Sequence, residues 1–276
     1  MDVGIGLPST IPGAGRDEVL EWARRAEARG FSTLGTIDRV VYPSHEPLIA
    51  LAAAAGATER IRLMTAILLA PTRPNGALLA KQAATLDVLS GGRLVLGVAV
   101  GRREDDFTAT AADFHARGRV LDEMLELWEG IWDGEQIGPD GRPSVLLGGW
   151  ADGAFTRAAR HADGWTGGNC TLEELADGTE RLRKAWGAAG REGSPRIVAQ
   201  PYYALGDGAE QAVDRTLRDY YGDNDYTDSI VARAAKGPET VRENVDAFAQ
   251  AGCDELIFFP CDPDPDQVDL LADALA

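Results

Sequence analysis

Short, continuously apolar stretches alternate along this chain with longer segments whose apolar residues recur every three or four positions. Ile61 to Gly101 shows the pattern most fully, reading IRLMTAILLAPTRPNGALLAKQAATLDVLSGGRLVLGVAVG. Ile61, Leu63, Met64 and Ile67 to Leu69, like Leu94 to Val100, are too uniformly apolar for a strand with one wet face. Both strands should therefore be covered on both sides, as in a parallel sheet. Between them Leu78, Leu79, Ala83, Leu86 and Leu89 form a helical stripe that largely excludes Lys81, Gln82 and Asp87. This is a βαβ unit. The same alternation predicts eight strands, at Val3 to Leu7, Ser32 to Ile37, Ile61 to Leu69, Arg93 to Val100, Ser144 to Leu147, Gly164 to Thr166, Ile197 to Leu205 and Glu255 to Phe259. Helices should follow each, with Gly30, Gly91, Gly190 and Gly252 at C-caps and Thr171 with Glu174 as a capping box. Eight such units predict an α/β fold, a single (β/α)8 TIM barrel forming one domain over residues 1–276. The polar segment from Gly222 to Gly237 fits neither pattern.

In a barrel the loops leaving the C-terminal strand ends carry the chemistry. Two of them hold glycine pairs, Gly148–Gly149 and Gly167–Gly168. Glycine lets the backbone approach a phosphate, and the next helix offers free N–H groups, so the two adjacent pairs together point to an anion site. Arg39, Arg73, Arg102 and Arg103 also follow C-terminal strand ends. They could receive an anionic cofactor tail or an acidic substrate, or pair locally with Glu104, Asp105 and Asp106. His45, in the second of these loops, is a candidate proton donor or acceptor. The three histidines share no metal-ligand spacing, so metal catalysis is not expected.

A formal charge of −17 disfavours nucleic acid and anionic membrane as partners. Three widely spaced cysteines suggest neither a disulfide framework nor a zinc site, and fit a reducing cytoplasm. The N-terminus lacks a basic segment followed by a long apolar one, and the Ala-rich run from Ile49 to Ala57 is too short to span a bilayer, so a soluble protein is expected. No GxGxxG fingerprint stands between a strand and a helix, so the chain has no evident NAD(P)H module of its own.

The phrases APTRPN, LLAKQAATLDVLSGGRLVLGVAVG and RGRVLDEMLELW resemble the luciferase-like family of flavin- and F420-dependent oxidoreductases, with weaker echoes at GIGLP, ATERIRL, VLLGG and HADGW. The resemblance implies a reduced FMN or coenzyme F420, delivered by a separate reductase, acting on a small organic substrate in a homodimeric enzyme. It assigns the cofactor phosphate to Gly148, Gly149, Gly167 and Gly168. It also implies a non-proline cis peptide behind the ring, matching Ala66–Ile67, although Ala66 stands where glycine is common. Members using F420 often carry an Asp-His pair at the end of the second strand, which makes Asp38 a catalytic candidate; this chain reads Asp38–Arg39. Arg102 stands where an aromatic is frequent. The arginine rim favours F420 and the missing histidine opposes it, so the two cofactors stay unseparated. The chain also looks short where the family carries a late insertion, so a comparatively open cleft is expected. Two other readings compete: a non-catalytic flavin-binding barrel, and a hydrolase or aldolase acting on a phosphorylated small molecule. The latter lacks a lysine or metal ligands at strand ends.

Overall fold

The structure, a computed structural model, describes residues 1–134 and 136–276. Its strands are β1 (Asp2–Gly6), β2 (Thr33–Thr36), β3 (Arg62–Thr65), β4 (Leu68–Leu69), β5 (Leu94–Ala99), β6 (Ser144–Gly148), β7 (Gly164–Thr166), β8 (Arg196–Ala199), β9 (Tyr202–Tyr203) and β10 (Glu255–Pro260). All pair in parallel, and β1 pairs with β10 to close the sheet. The result is the (β/α)8 barrel. Its eight positions arise because two strands expected to be continuous are each broken: β3 and β4 flank the Ala66–Ile67 peptide, which is cis, and β8 and β9 flank Gln200–Pro201. Proline cannot donate a ladder hydrogen bond, which accounts for the second break.

Around the barrel run α1 (Arg16–Ala28), α2 (Pro47–Ala55), α3 (Gly76–Leu89), α4 (Glu104–Ala109), α5 (Arg117–Trp132), α6 (Asp152–His161), α7 (Leu172–Ala188), α8 (Ala209–Tyr221), α9 (Asp225–Arg233), α10 (Pro238–Gln250) and α11 (Asp266–Leu275). Gly30, Gly91, Gly190 and Gly252 all adopt positive φ at helix ends, and Thr171 and Glu174 form the expected capping box. Among the described residues no helix is long and apolar enough to cross a membrane.

The apolar interior has two layers. The larger lies between strands and helices and includes Trp22, Leu34, Leu63, Leu96, Trp128, Leu147 and Phe258. The smaller combines strand residues Met64, Val95, Leu146, Val198, Ile257 and Phe259 with Leu217 and Ile230 from α8 and α9. The polar segment that fits neither periodicity therefore does have a buried role. Asn224 caps α9 by accepting from the Thr227 N–H, and Ile230 is fully buried. Its single apolar anchor per turn is too sparse a signal for periodicity to register.

Candidate active site

The loop after β2 is tied to its neighbours by ion pairs. Asp38, buried, accepts from the Leu69 N–H at 2.8 Å and from the Arg73 guanidinium at 2.6 and 3.3 Å. Arg73 also donates to Glu46 at 2.9 Å. Burial works against the Arg73 charge, but Asp38 and Glu46 outweigh it and raise its pKa. Asp38 thus holds the strand segment that follows Ile67, and its oxygens are already engaged. Arg39 is buried beside Asp106 at 2.8 Å, a close ion pair rather than an aligned hydrogen bond, and reaches Asp105 at 3.1 Å. The other Asp106 oxygen takes the N–H groups of Val40 and Val41. Of the four rim arginines, Arg39 and Arg73 are therefore spent on local carboxylates. His45 is exposed, and its Nε2 lies 2.8 Å from the Ala14 carbonyl oxygen, so that nitrogen serves as a donor to backbone.

The mouth itself is covered. Tyr42 bonds Asp219 at 2.5 Å, Arg103 donates to the Tyr220 carbonyl at 2.9 Å, Arg102 lies 5.1 Å from the Tyr226 ring centre, and Arg233 donates to Asn169 at 2.8 Å. These contacts carry α8 and α9 onto the loops after β2, β5 and β7. The comparatively open cleft expected from the sequence is corrected: α8 and α9 are fastened across these loops. Among the described residues Arg102 and Arg103 are partnered by rings rather than carboxylates, Arg103 lying 5.3 and 5.8 Å from the centres of Tyr220 and Tyr221.

Sequence reasoning missed the tyrosines. Five of the six in the chain meet here, with ring centres 5.0 Å apart for Tyr42–Tyr220, 4.7 Å for Tyr220–Tyr221, 5.6 Å for Tyr221–Tyr226 and 6.2 Å for Tyr202–Tyr221. The Tyr202 and Tyr221 hydroxyls are 2.8 Å apart. Burial pushes Tyr220 up to about 12 and raises Tyr202 and Tyr221, so all three are neutral donors near pH 7. Their concentration in two late doublets, Tyr202–Tyr203 and Tyr220–Tyr221, was the available signal.

A sequence model described as luciferase-like monooxygenase matches residues 1–252. The chain belongs to the luciferase-like monooxygenase family. An uncharacterised protein of Mycobacterium tuberculosis is 30% identical over 238 residues, covering 71% of this chain and 81% of that one. The F420-dependent glucose-6-phosphate dehydrogenase of Kribbella flavida is 28% identical over 150 residues, covering 51% of this chain and 45% of that enzyme. Among solved structures, monooxygenase RslO1 from Streptomyces bottropensis superposes with a TM-score of 0.82 at 23% identity, covering 100% of this chain and 98% of that one. An F420-dependent secondary alcohol dehydrogenase in complex with an F420–acetone adduct gives 0.84 at 16% identity, covering 99% and 97%. These two likenesses are of fold.

In this luciferase-like barrel the glycine positions decide whether a flavin-type cofactor fits. A Cβ on Gly148 would lie 2.5 Å from Ile67 Cδ1, so the bulge after Ala66 presents an apolar side chain directly against the glycine of β6. Gly149 and Gly168 have φ of +120° and +65°, and a Cβ on Gly168 would meet nothing within 4 Å. Gly167 instead packs inward, where a Cβ would crowd Cys170 and Trp165. The helices that the two glycine loops lead into start differently. Ala151 gives α6 no side-chain cap, leaving first-turn N–H groups at the positive end of the helix dipole, whereas Thr171 and Glu174 already close the start of α7. An apolar shelf beside an uncapped helix start suits a flat apolar ring with an anionic tail. A depression of about 650 Å³ lies at the other end of the barrel, between Asp2, Arg62, Asp163, Arg196 and Asp254, far from the C-terminal strand ends.

Proposed function

We propose that the protein is an oxidoreductase using a reduced flavin-type cofactor, FMN or coenzyme F420, on a small organic substrate. The observation that carries this reading is the contact of Ile67 with the Gly148 position, next to the uncapped start of α6. Ala66 and Ile67 would back the ring. Gly148, Gly149 and Gly168, with the first turn of α6, would hold the phosphate, and Gly167 would set the turn that exposes Gly168. Bound there, the cofactor would supply hydride transfer or oxygen activation.

The chain's own groups have separable tasks. Asp38 positions the Leu68–Leu69 segment beyond the bulge through the Leu69 N–H. The α8–α9 arm excludes water from the mouth, which strengthens every polar interaction beneath it. Of the two hydroxyl protons on Tyr202 and Tyr221, their mutual bond uses one, leaving the other for a ligand acceptor. Arg102 and Arg103, beside the Tyr226 and Tyr221 rings, have no carboxylate partner among the described residues and would suit an anionic substrate or cofactor tail. His45, held to Ala14, would steady the loop after β2.

Without a dinucleotide fingerprint, the reading requires a separate reductase. It includes a homodimer, supported by the exposed Leu78 and Leu89 of α3 and Leu127 of α5. A cytoplasmic setting is supported by three free cysteines, all buried. Titrating the purified protein with oxidised FMN and with F420, followed by fluorescence, tests the reading. Micromolar or tighter binding of one supports it and selects the cofactor, while binding of neither removes it. A bound cofactor without turnover of any candidate substrate would favour the non-catalytic flavin-binding barrel.

A further inference from the structure

Arg233 is the last residue of α9, and its guanidinium reaches the turn after β7. Its Nη2 donates to Asn169 Oδ1 at 2.8 Å and lies 3.4 Å from the Asn169 carbonyl oxygen; its Nη1 donates to Ser229 Oγ at 2.6 Å. These contacts use at most three of the five N–H donors of an arginine. The Nε–H is buried and has no acceptor among the described residues. Asn169 directly follows Gly167–Gly168, and the Cβ side of Gly168 is open. In a chain carrying −17, a cation with an unspent donor is held in fixed orientation at the edge of an open glycine turn.

We propose that Arg233 is a binding residue for the phosphate end of the cofactor, closing over the anion from the side opposite α6 and thereby fixing the α8–α9 arm across the mouth. The inference rests on the cofactor reading above and adds to it a ligand from a different element. Physically the assignment follows from the capacity each group still lacks. The start of α7 is already capped by Thr171 and Glu174, so the β7 side of the site has little free backbone to offer. A guanidinium supplies the missing donors there, with fork geometry matched to two phosphate oxygens. Asn169 takes no part in charge balance and serves to orient the fork.

The test compares ligands that differ only in the phosphate: FMN against riboflavin, or F420 against its dephosphorylated chromophore, whichever pair contains the cofactor the wild type binds. Arg233→Met should weaken binding of the phosphorylated ligand about 10- to 100-fold and leave the phosphate-free one within about twofold, as expected for loss of a charge-assisted fork. Arg233→Lys, which keeps charge without the fork, should recover part of the loss. In the wild type, FMN or F420 should slow hydrogen exchange across residues 225–233 and the phosphate-free partner should not. Equal weakening of both ligands in Arg233→Met, or no weakening of either, overturns the proposal while leaving the cofactor reading standing. Wild-type protein that binds neither cofactor overturns both. Should Arg233→Met fail to fold, the exchange comparison on wild type decides alone, and equal protection by both ligands counts against the proposal.

Discussion

The two ends of this barrel use buried charge in opposite ways. At the N-terminal end Glu255, only 1% exposed, accepts from Ser32 at 2.5 Å, Thr33 at 2.6 Å, Arg62 at 3.1 Å and Arg196 at 2.5 Å. That one carboxylate, on β10, draws in groups from β2, β3 and β8, and its oxygens are fully engaged within the fold. At the C-terminal end Asp38 is hydrogen-bonded on both oxygens and Asp106 is ion-paired with Arg39, but beside them stand groups with something left over: the Tyr202–Tyr221 hydroxyls, the ring-faced Arg102 and Arg103, the Nε–H of Arg233 and the uncapped start of α6. A closed network fixes a barrel; an incomplete one waits for a ligand. The division matches the general separation of stability and chemistry between the two faces of such barrels.

Substitutions that separate stability from ligand binding sharpen this contrast. The largest effect is expected for Glu255→Gln, which leaves Arg62 and Arg196 without their shared counter-charge. Loss of one member of a buried ionic network costs on the order of 3 kcal/mol, so the urea midpoint should fall markedly. Cofactor affinity of the folded fraction should hold within about twofold; a large loss of affinity at full folding would show that the two ends are coupled. Asp38→Asn should move both quantities. It weakens the bond to Leu69 and the pair with Arg73, costing about 2 kcal/mol, and because Leu69 is two residues beyond Ile67 it should also weaken cofactor binding several-fold. Unchanged binding in a destabilised Asp38→Asn would confine Asp38 to the fold.

The sequence made the barrel legible because each βα unit buries a continuous apolar strand beneath a striped helix, and both signals are local. It showed the glycine pairs and the Ala66–Ile67 bond for related reasons: the former are short motifs, and the latter came through family resemblance. The state of each rim arginine was not legible. Arg39 and Arg102 read alike as isolated residues, yet one is buried against Asp106 from α4 and the other lies over Tyr226 from α9. Such pairings join residues 67 and more than 120 positions apart, beyond what any local pattern encodes. The tyrosine cover escaped for the same reason, since its members come from the loop after β2, from β9, and from α8 and α9.

At the C-terminal end a smaller change isolates the shelf. Gly148→Ala adds a methyl 2.5 Å from Ile67 Cδ1, the free tip of a side chain that can rotate away. Stability should fall by about 1 kcal/mol, the low end for an added methyl in a packed site, since the clash falls on a flexible tip. The displaced Ile67 tip would move toward the space assigned to the ring, so binding should weaken about tenfold, equal to about 1.4 kcal/mol. FMN or F420 titration beside urea unfolding checks both halves. Undiminished affinity would detach Ile67 from the ring site.

The smallest expected effect lies at the N-terminal end and is pH-dependent. Glu27, on α1, accepts the N–H groups of Glu59, Arg60 and Ile61, which lead into β3. Burial acts to raise its pKa, but the three backbone donors outweigh it and the net shift is downward. A carboxylate whose folded pKa is depressed contributes stability that is complete above its unfolded value and disappears as pH falls through the folded one. Glu27→Gln removes the charge while keeping an acceptor, so it should cost about 1 kcal/mol at pH 7, the scale of a charge-assisted hydrogen bond over a neutral one. The gap between wild type and variant should stay level down to the ordinary carboxylate range, about pH 4, and narrow below it, as read from urea midpoints along a pH series. Cofactor affinity at pH 7 should be the same in both, because this carboxylate anchors the end of β3 remote from Ile67. A gap that widened in acid would mean that Glu27 is held in its protonated form, and would reverse the assignment of its three N–H partners as the dominant influence.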